Sequence, residues 1–182
     1  MKTGSTVKYV LRLTLTLLVI TAVVAVILAA VNKVTAPIIA QQKAEKTQQA
    51  IQAVLPGGGE RVEFTDDTGT VSRVYSSEAG YAVEVSPMGF GGAITMMVGV
   101  SAEGKVLGIS IVSHTETASL GAVAAAGTAA GQSFRDSFMG LSGTVSVSKD
   151  GGEADTITGA TITSRAVAEG VNAALACVGK LG

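Results

Sequence analysis

The sequence predicts an α+β protein, with a single N-terminal transmembrane helix followed by a domain built on a bent antiparallel sheet and surrounding helices. Three observations predict it. Leu13 to Val31 is a run of 19 residues without a charge. Between Arg61 and Val112 lie short runs rich in Val, Ile, Tyr and Phe, separated by turn residues. Near the end, Val167, Val171, Ala174, Leu175 and Val178 recur at helical spacing.

The apolar run comes first. As a helix it spans about 28 Å, close to the hydrocarbon thickness of a bilayer. Thr14, Thr16 and Thr21 interrupt it, and isolated threonines can bond back to the preceding turn. Lys2, Lys8 and Arg12 precede it; Lys33 and the mixed Lys43-Glu45-Lys46 cluster follow. That bias places the N-terminus inside and the rest outside. The competing reading is a cleaved signal peptide. Leu28-Ala29-Ala30 offers only a weak small-residue stretch, and the apolar core is long for a signal. The expected organisation is a cytoplasmic 1–12, a membrane helix 13–31, a helical connector 32–59 and an extracytoplasmic domain 60–182. The protein is then single-pass in the inner or plasma membrane.

Pro37 suits the first turn of a new helix. Ile38 to Leu55 continues it, and Pro56-Gly57-Gly58-Gly59 stops it. Strands are expected over Arg61–Phe64, Val71–Tyr75, Gly80–Val85, Ile94–Val100 and Val106–Val112. Ser101 to Lys105, with Gly104, reads as a hairpin turn. Leu120–Ala130 reads as a helix, as does Gln132–Phe138, which carries Phe134 and Phe138 four apart. Thr144–Ser148 alternates and reads as a last strand. Ser164–Val178 is the closing helix.

Composition excludes several functions. The 182 residues carry 13 basic and 14 acidic side chains. There is no basic field for nucleic acid, and with no Trp there is little to stack bases on. Cys177 is the only cysteine, so no intrachain disulfide or four-cysteine cluster can form. His114 is the only histidine, and with Glu116 it makes no convincing metal-ligand set. Redox chemistry in this chain needs an organic cofactor.

Thr156-Ile157-Thr158-Gly159-Ala160-Thr161 leads into the closing helix. Read as residues, it is a strand, a turn and a helix cap, with Thr163 or Ser164 as the cap. Threonine hydroxyls can also accept a proton relay or bind phosphate oxygens, but such a string alone shows no cofactor. His114 and Glu116 offer an acid/base pair or simply a polar loop. Pro87-Met88-Gly89-Phe90-Gly91-Gly92 is a flexible strand connection or a close backbone approach to a ligand. Met88 and Phe90 within it are ring contacts or core.

Asp155-x-x-Thr158-Gly159-Ala160-Thr161 resembles the flavinylation motif of the FMN-binding domain family. The resemblance implies FMN joined through its phosphate to the Thr161 hydroxyl by a dedicated flavin transferase. Asp155 and Thr158 become recognition or neighbouring residues, and Gly159 and Ala160 part of the site. The helix amides near Thr163 to Arg165 become partners of the remaining phosphate charge, and Arg165 a phosphate neighbour or a surface residue. His114-Thr115-Glu116-Thr117-Ala118-Ser119-Leu120-Gly121 resembles the family's His-x-Glu-Thr-Pro-Gly-Leu-Gly stretch, with Ala118 and Ser119 replacing Pro-Gly. Glu116, Thr117, Leu120 and Gly121 are then expected to line the flavin region. Gly80-Tyr81, the glycine-rich loop and Ile94-Thr95 fit the same pattern.

The arrangement as a whole, including Val31-Asn32-Lys33-Val34-Thr35-Ala36-Pro37-Ile38-Ile39-Ala40 and Ala53-Val54-Leu55-Pro56, is similar to the G-subunit family of Rnf ion-translocating electron transport complexes (RnfG). This implies an electron carrier within a ferredoxin:NAD oxidoreductase that acts as a translocase. Its partners are other Rnf membrane subunits, especially a second flavin-bearing one. The related NqrC subunits of sodium-pumping quinone reductases are the near-family alternative. A non-redox membrane scaffold is the alternative from a different class.

Overall fold

The computed structural model describes residues 3–64 and 69–181. The chain divides into two compact units, Met1–Ala44 and Glu45–Gly182. The first is helical. Helix α1 (Thr3–Val54) runs through it and ends inside the second. The large apolar side chains from Val7 to Ile39 are exposed. The helix is long and apolar enough to cross a membrane, with a mean hydropathy of 2.8 over an 18-residue window. Thr14, Thr16 and Thr21 donate to the carbonyls of Val10, Arg12 and Leu17 at 3.0, 2.8 and 2.8 Å. Their hydroxyls thus need no water. Pro37 does not start a separate helix; it lies inside α1. A proline removes one backbone hydrogen bond, and here the helix continues on both sides of it.

The second unit is built on a five-stranded antiparallel meander. Its strands are β1 (Glu60–Val62), β2 (Val71–Ser77), β3 (Gly80–Val85), β4 (Thr95–Val100) and β5 (Val106–Ser113), side by side in sequence order. Val83 pairs with Val74 on one side and Val98 on the other. Register shifts between Val71 and Arg73, Thr95 and Met96, and Gly99 and Val100 mark bulges. Bulges bend and twist the strands that carry them. The turn after β4 has Gly104 at φ 74° and is closed by the Ser101 amide donating to the Lys105 carbonyl at 2.8 Å.

Both faces of the sheet are covered, which is why β3 and β4 read as nearly continuous apolar runs. On one face Val83, Val85, Met96 and Val98 pack with Val167, Val171 and Ala174 of α3 (Thr161–Leu181) and with Phe134 and Phe138. The two phenylalanine rings meet edge to face at 5.3 Å. On the other face Ala82, Met97 and Val112 pack with Ala50, Ile51, Val54 and Leu55 at the end of α1. Gly99 makes that approach possible. A Cβ there would strike the Val54 carbonyl and come within 3.0 Å of its Cβ.

Two expected elements differ. Leu120–Ala130 is not one helix; it is a 3-10 turn at Gly121–Ala125, after which Ala126 is extended. Helix α2 (Ala129–Asp136) then starts afresh, with Thr128 Oγ1 accepting from the Gly131 amide at 3.3 Å. Thr144–Ser148 is not a strand of the sheet. Asn172 on α3 takes the place of a neighbouring strand: its Oδ1 accepts from the Val145 amide at 2.7 Å and its Nδ2 donates to the Val145 carbonyl at 2.8 Å.

Candidate functional site

Three segments of the second unit meet at one cavity of about 330 Å³. The loop between β3 and β4 contributes Phe90. The stretch after β5 contributes Glu116, Thr117, Leu120 and Gly121. The start of α3 contributes Gly159 through Thr163. Phe90, Leu120 and Ile162 are apolar and exposed, so the mouth of the cavity has an apolar rim.

Thr161 is the first residue of α3 and is half-buried at this cavity. The turn before it is held firmly. The Ala160 amide donates to the Ile157 carbonyl at 3.0 Å. Ser164 Oγ accepts from the Ile157 amide and donates to the Ala160 carbonyl, both at 3.0 Å. Ser164 is therefore no helix cap, and neither is Thr163; α3 begins three residues earlier than the apolar spacing suggests. Gly159 stands at φ 78°, a conformation that favours glycine, and a Cβ there would reach Leu120 Cδ2 at 3.2 Å. The first amides of α3 have no partner within the helix, and the positive end of its dipole lies beside Thr161.

Glu116 is buried at the cavity wall. Its Oε1 accepts from the Gly91 amide at 2.8 Å, and its Oε2 accepts from the Thr163 hydroxyl. Thr115 Oγ1 donates to the Gly91 carbonyl at 2.9 Å, so residues 115 and 116 hold both polar groups of Gly91. A Cβ on Gly121 would stand 2.5 Å from both Glu116 Oε2 and Thr163 Oγ1. Glycine is the residue that fits there.

The remaining candidates lie elsewhere. Thr158 is exposed, next to the cavity in sequence but not part of its wall. His114 borders a second hollow with Lys46, Gln49 and Ser113. Its Nδ1 accepts from the Glu116 backbone amide at 3.2 Å, so the Glu116 carboxylate is not its partner. Arg165 donates twice to Asp150, from Nε at 2.8 Å and Nη2 at 2.6 Å. Hydrogen bonding from this guanidinium holds the Asp150 carboxyl below its ordinary pKa. Asp155 is exposed, and its amide donates to Ser137 Oγ at 2.9 Å. Met88 is exposed outside the cavity wall.

The site fits a flat aromatic group tethered by a phosphate. The cavity volume lies in the range of small-molecule sites. Its walls combine apolar side chains with Gly121 and Gly159, and a hydroxyl stands at a helix N-terminus.

A family model of the FMN-binding domain matches residues 89–176, which include all three segments. The chain is 35% identical to the G subunit of the Na(+)-translocating ferredoxin:NAD(+) oxidoreductase complex of Acetobacterium woodii, over 91% of this chain and 89% of that one. It is 34% identical to the proton-translocating counterpart of Clostridium ljungdahlii, over 82% and 81%. The chain belongs to the G-subunit family of these complexes. The G subunit of the ion-translocating oxidoreductase complex of Methanosarcina acetivorans is 30% identical over 92% of this chain and 94% of its own length. These G-subunit relatives thus match both the helical first unit and the sheet-bearing second.

Sequence reasoning on this G-subunit chain missed the joint between Glu116 and Thr163, which are 47 residues apart. Both residue types were in view, but only the fold brings them together. A cue existed in Gly89, Gly91 and Gly121, each of which leaves room for Glu116 or its neighbour Thr115.

Proposed function

We propose that this chain is the electron-transfer subunit of an ion-translocating ferredoxin:NAD oxidoreductase complex, with FMN attached covalently to Thr161. The observation that carries the proposal is the place of Thr161, at the first position of α3 and on the wall of an apolar-rimmed cavity. The names of the Clostridium and Acetobacterium relatives support the assembly.

When bound, FMN supplies reversible electron transfer in steps of one or two electrons. The chain's residues do the rest. Thr161 Oγ1 supplies the ester oxygen, and the first amides of α3 offset the remaining phosphate charge. Phe90, Leu120 and Ile162 offer apolar surface to the ring, and Thr117 a hydroxyl to its edge. Gly121, Gly159 and Ala160 keep the space open. A covalent tether prevents loss of the cofactor outside the cell and removes the repeated entropy cost of binding.

In this reading residues 1–12 are cytoplasmic, 13–31 cross the membrane, 32–59 connect, and 60–182 form the extracytoplasmic domain. The basic bias of Lys2, Lys8 and Arg12 supports that orientation. A flavin transferase attaches the cofactor during maturation. The electron partners are other membrane subunits of the complex, a second flavin-bearing subunit among them. The isolated chain carries electrons; the complete reaction belongs to the assembly.

The test is a Thr161→Ala variant expressed in the native host. The wild-type chain is expected to give a flavin-fluorescent band on a denaturing gel, and the variant a band of equal protein and no fluorescence. Equal fluorescence from both would overturn the attachment site.

A further inference from the structure

Among the groups at the cavity, Glu116 stands apart in chemistry. It is a carboxylate buried at the wall of a cavity whose rim is otherwise apolar. Both oxygens act as acceptors, one for the Gly91 amide and one for the Thr163 hydroxyl, as an ionised carboxylate requires. It has no basic side chain as ion-pair partner among the described residues. What stabilises it is an amide, a hydroxyl and the positive end of α3. Backbone is packed around it so closely that Gly89 and Gly121 have no room for a Cβ. Buried in the wall, the carboxylate is screened by water less than a surface charge would be.

We infer that Glu116 is a positioning residue with a second role: it clasps the three walls of the cavity and fixes a negative charge beside the flavin that lowers its midpoint potential. This rests on the flavin reading of the site. The positioning half follows from connectivity, since the two oxygens join the loop between β3 and β4 to the first turn of α3, two residues from Thr161. The electrostatic half follows from sign. Accepting electrons makes the ring more negative unless protons follow at once. A fixed neighbouring anion in a poorly solvated wall disfavours that change and moves the potential down.

Two variants separate charge from shape. Glu116→Gln removes the charge and keeps the clasp, because the amide oxygen accepts from Gly91 while the amide nitrogen donates to the Thr163 oxygen. Thr163→Val keeps the charge and removes a donor that offsets it. Full-length protein is produced with its flavin transferase in membranes, and FMN occupancy is read by intact mass. The midpoint potential of each protein is read by spectroelectrochemical titration at one fixed pH.

The expected result is two shifts of opposite sign in the flavinylated protein, upward for Glu116→Gln and downward for Thr163→Val. Occupancy falls for Thr163→Val, in which the first turn of α3 is no longer tied to Glu116. Shifts in the same direction, or none in either variant, would overturn the inference and leave Glu116 a structural group. If Glu116→Gln fails to fold, the direction of the Thr163→Val shift decides. A wild-type chain that carries no FMN under these conditions would instead strike at the proposed function itself.

Discussion

Thr163 donates its hydroxyl hydrogen to the carboxylate of Glu116, and that one bond ties the first turn of α3 to the stretch after β5. Gly121 is packed against both partners. Gly121→Ala drives a methyl group into the joint, where it would meet Glu116 Oε2 and Thr163 Oγ1 at 2.5 Å and force them apart. The expected cost is about 1–3 kcal/mol of stability, with reduced flavin attachment at Thr161. Chemical denaturation of the solubilised chain measures the first and intact mass the second.

Ser119 is the one non-glycine residue with positive φ among the described residues, at 62°. It stands where the related motif has glycine. The left-handed conformation costs a side-chain-bearing residue about 1–2 kcal/mol, partly offset because glycine has more freedom to lose on folding. Ser119→Gly is therefore expected to raise stability by up to about 1 kcal/mol, read as a higher melting temperature. Ser119→Val is expected to lower it.

Arg73 and Glu84 face each other across β2 and β3, with Nε 3.4 Å from Oε2. Glu84 is buried, whereas the Arg73 side chain is 43% exposed. Tyr75, through a hydrogen bond, and then the Glu84 charge hold the Arg73 pKa above its ordinary value. Arg73→Met leaves a buried carboxylate without its cation. We expect a loss of about 1–3 kcal/mol, less than for a fully buried pair because solvent already screens the arginine. Adding Glu84→Gln is expected to recover part of that loss, so the two substitutions are not additive. Urea denaturation of the single and double variants measures both effects.

Asp150 and Arg165 form an exposed pair whose effect depends on pH. The carboxyl's folded pKa lies below its ordinary value. The stabilisation is thus fully present above the unfolded aspartate pKa, about 4, and is lost as pH falls through the lower folded value. Asp150→Asn is expected to lower the melting temperature slightly at neutral pH, where the pair is intact, and to match the native chain at low pH, so that the acid limb flattens. Melting curves taken from pH 7 downward check it.

Much of this was legible in the sequence, for physical reasons. The membrane-length helix is a matter of length and charge. β2 to β5 and the turn at Gly104 follow from β-rich runs between strong turn residues. Thr161 is set apart by its motif. What was not legible depends on partners distant in sequence. Thr144–Ser148 alternates like a strand, yet Asn172 satisfies Val145 in place of a neighbouring strand. Helix α3 starts at Thr161 because Ser164 bonds back to Ile157 and Ala160 rather than capping. Arg165, an apparent phosphate neighbour, is engaged by Asp150 from a turn fifteen residues away. Glu116 was visible as a cavity candidate, but its joint with Thr163 needed the fold.

The most direct test is peptide mass spectrometry of the chain purified from its native membrane. The predicted result is an FMN phosphoester on the peptide containing Thr161, at high occupancy, with Thr156, Thr158 and Thr163 unmodified. A fully assembled native complex in which Thr161 is bare would contradict it.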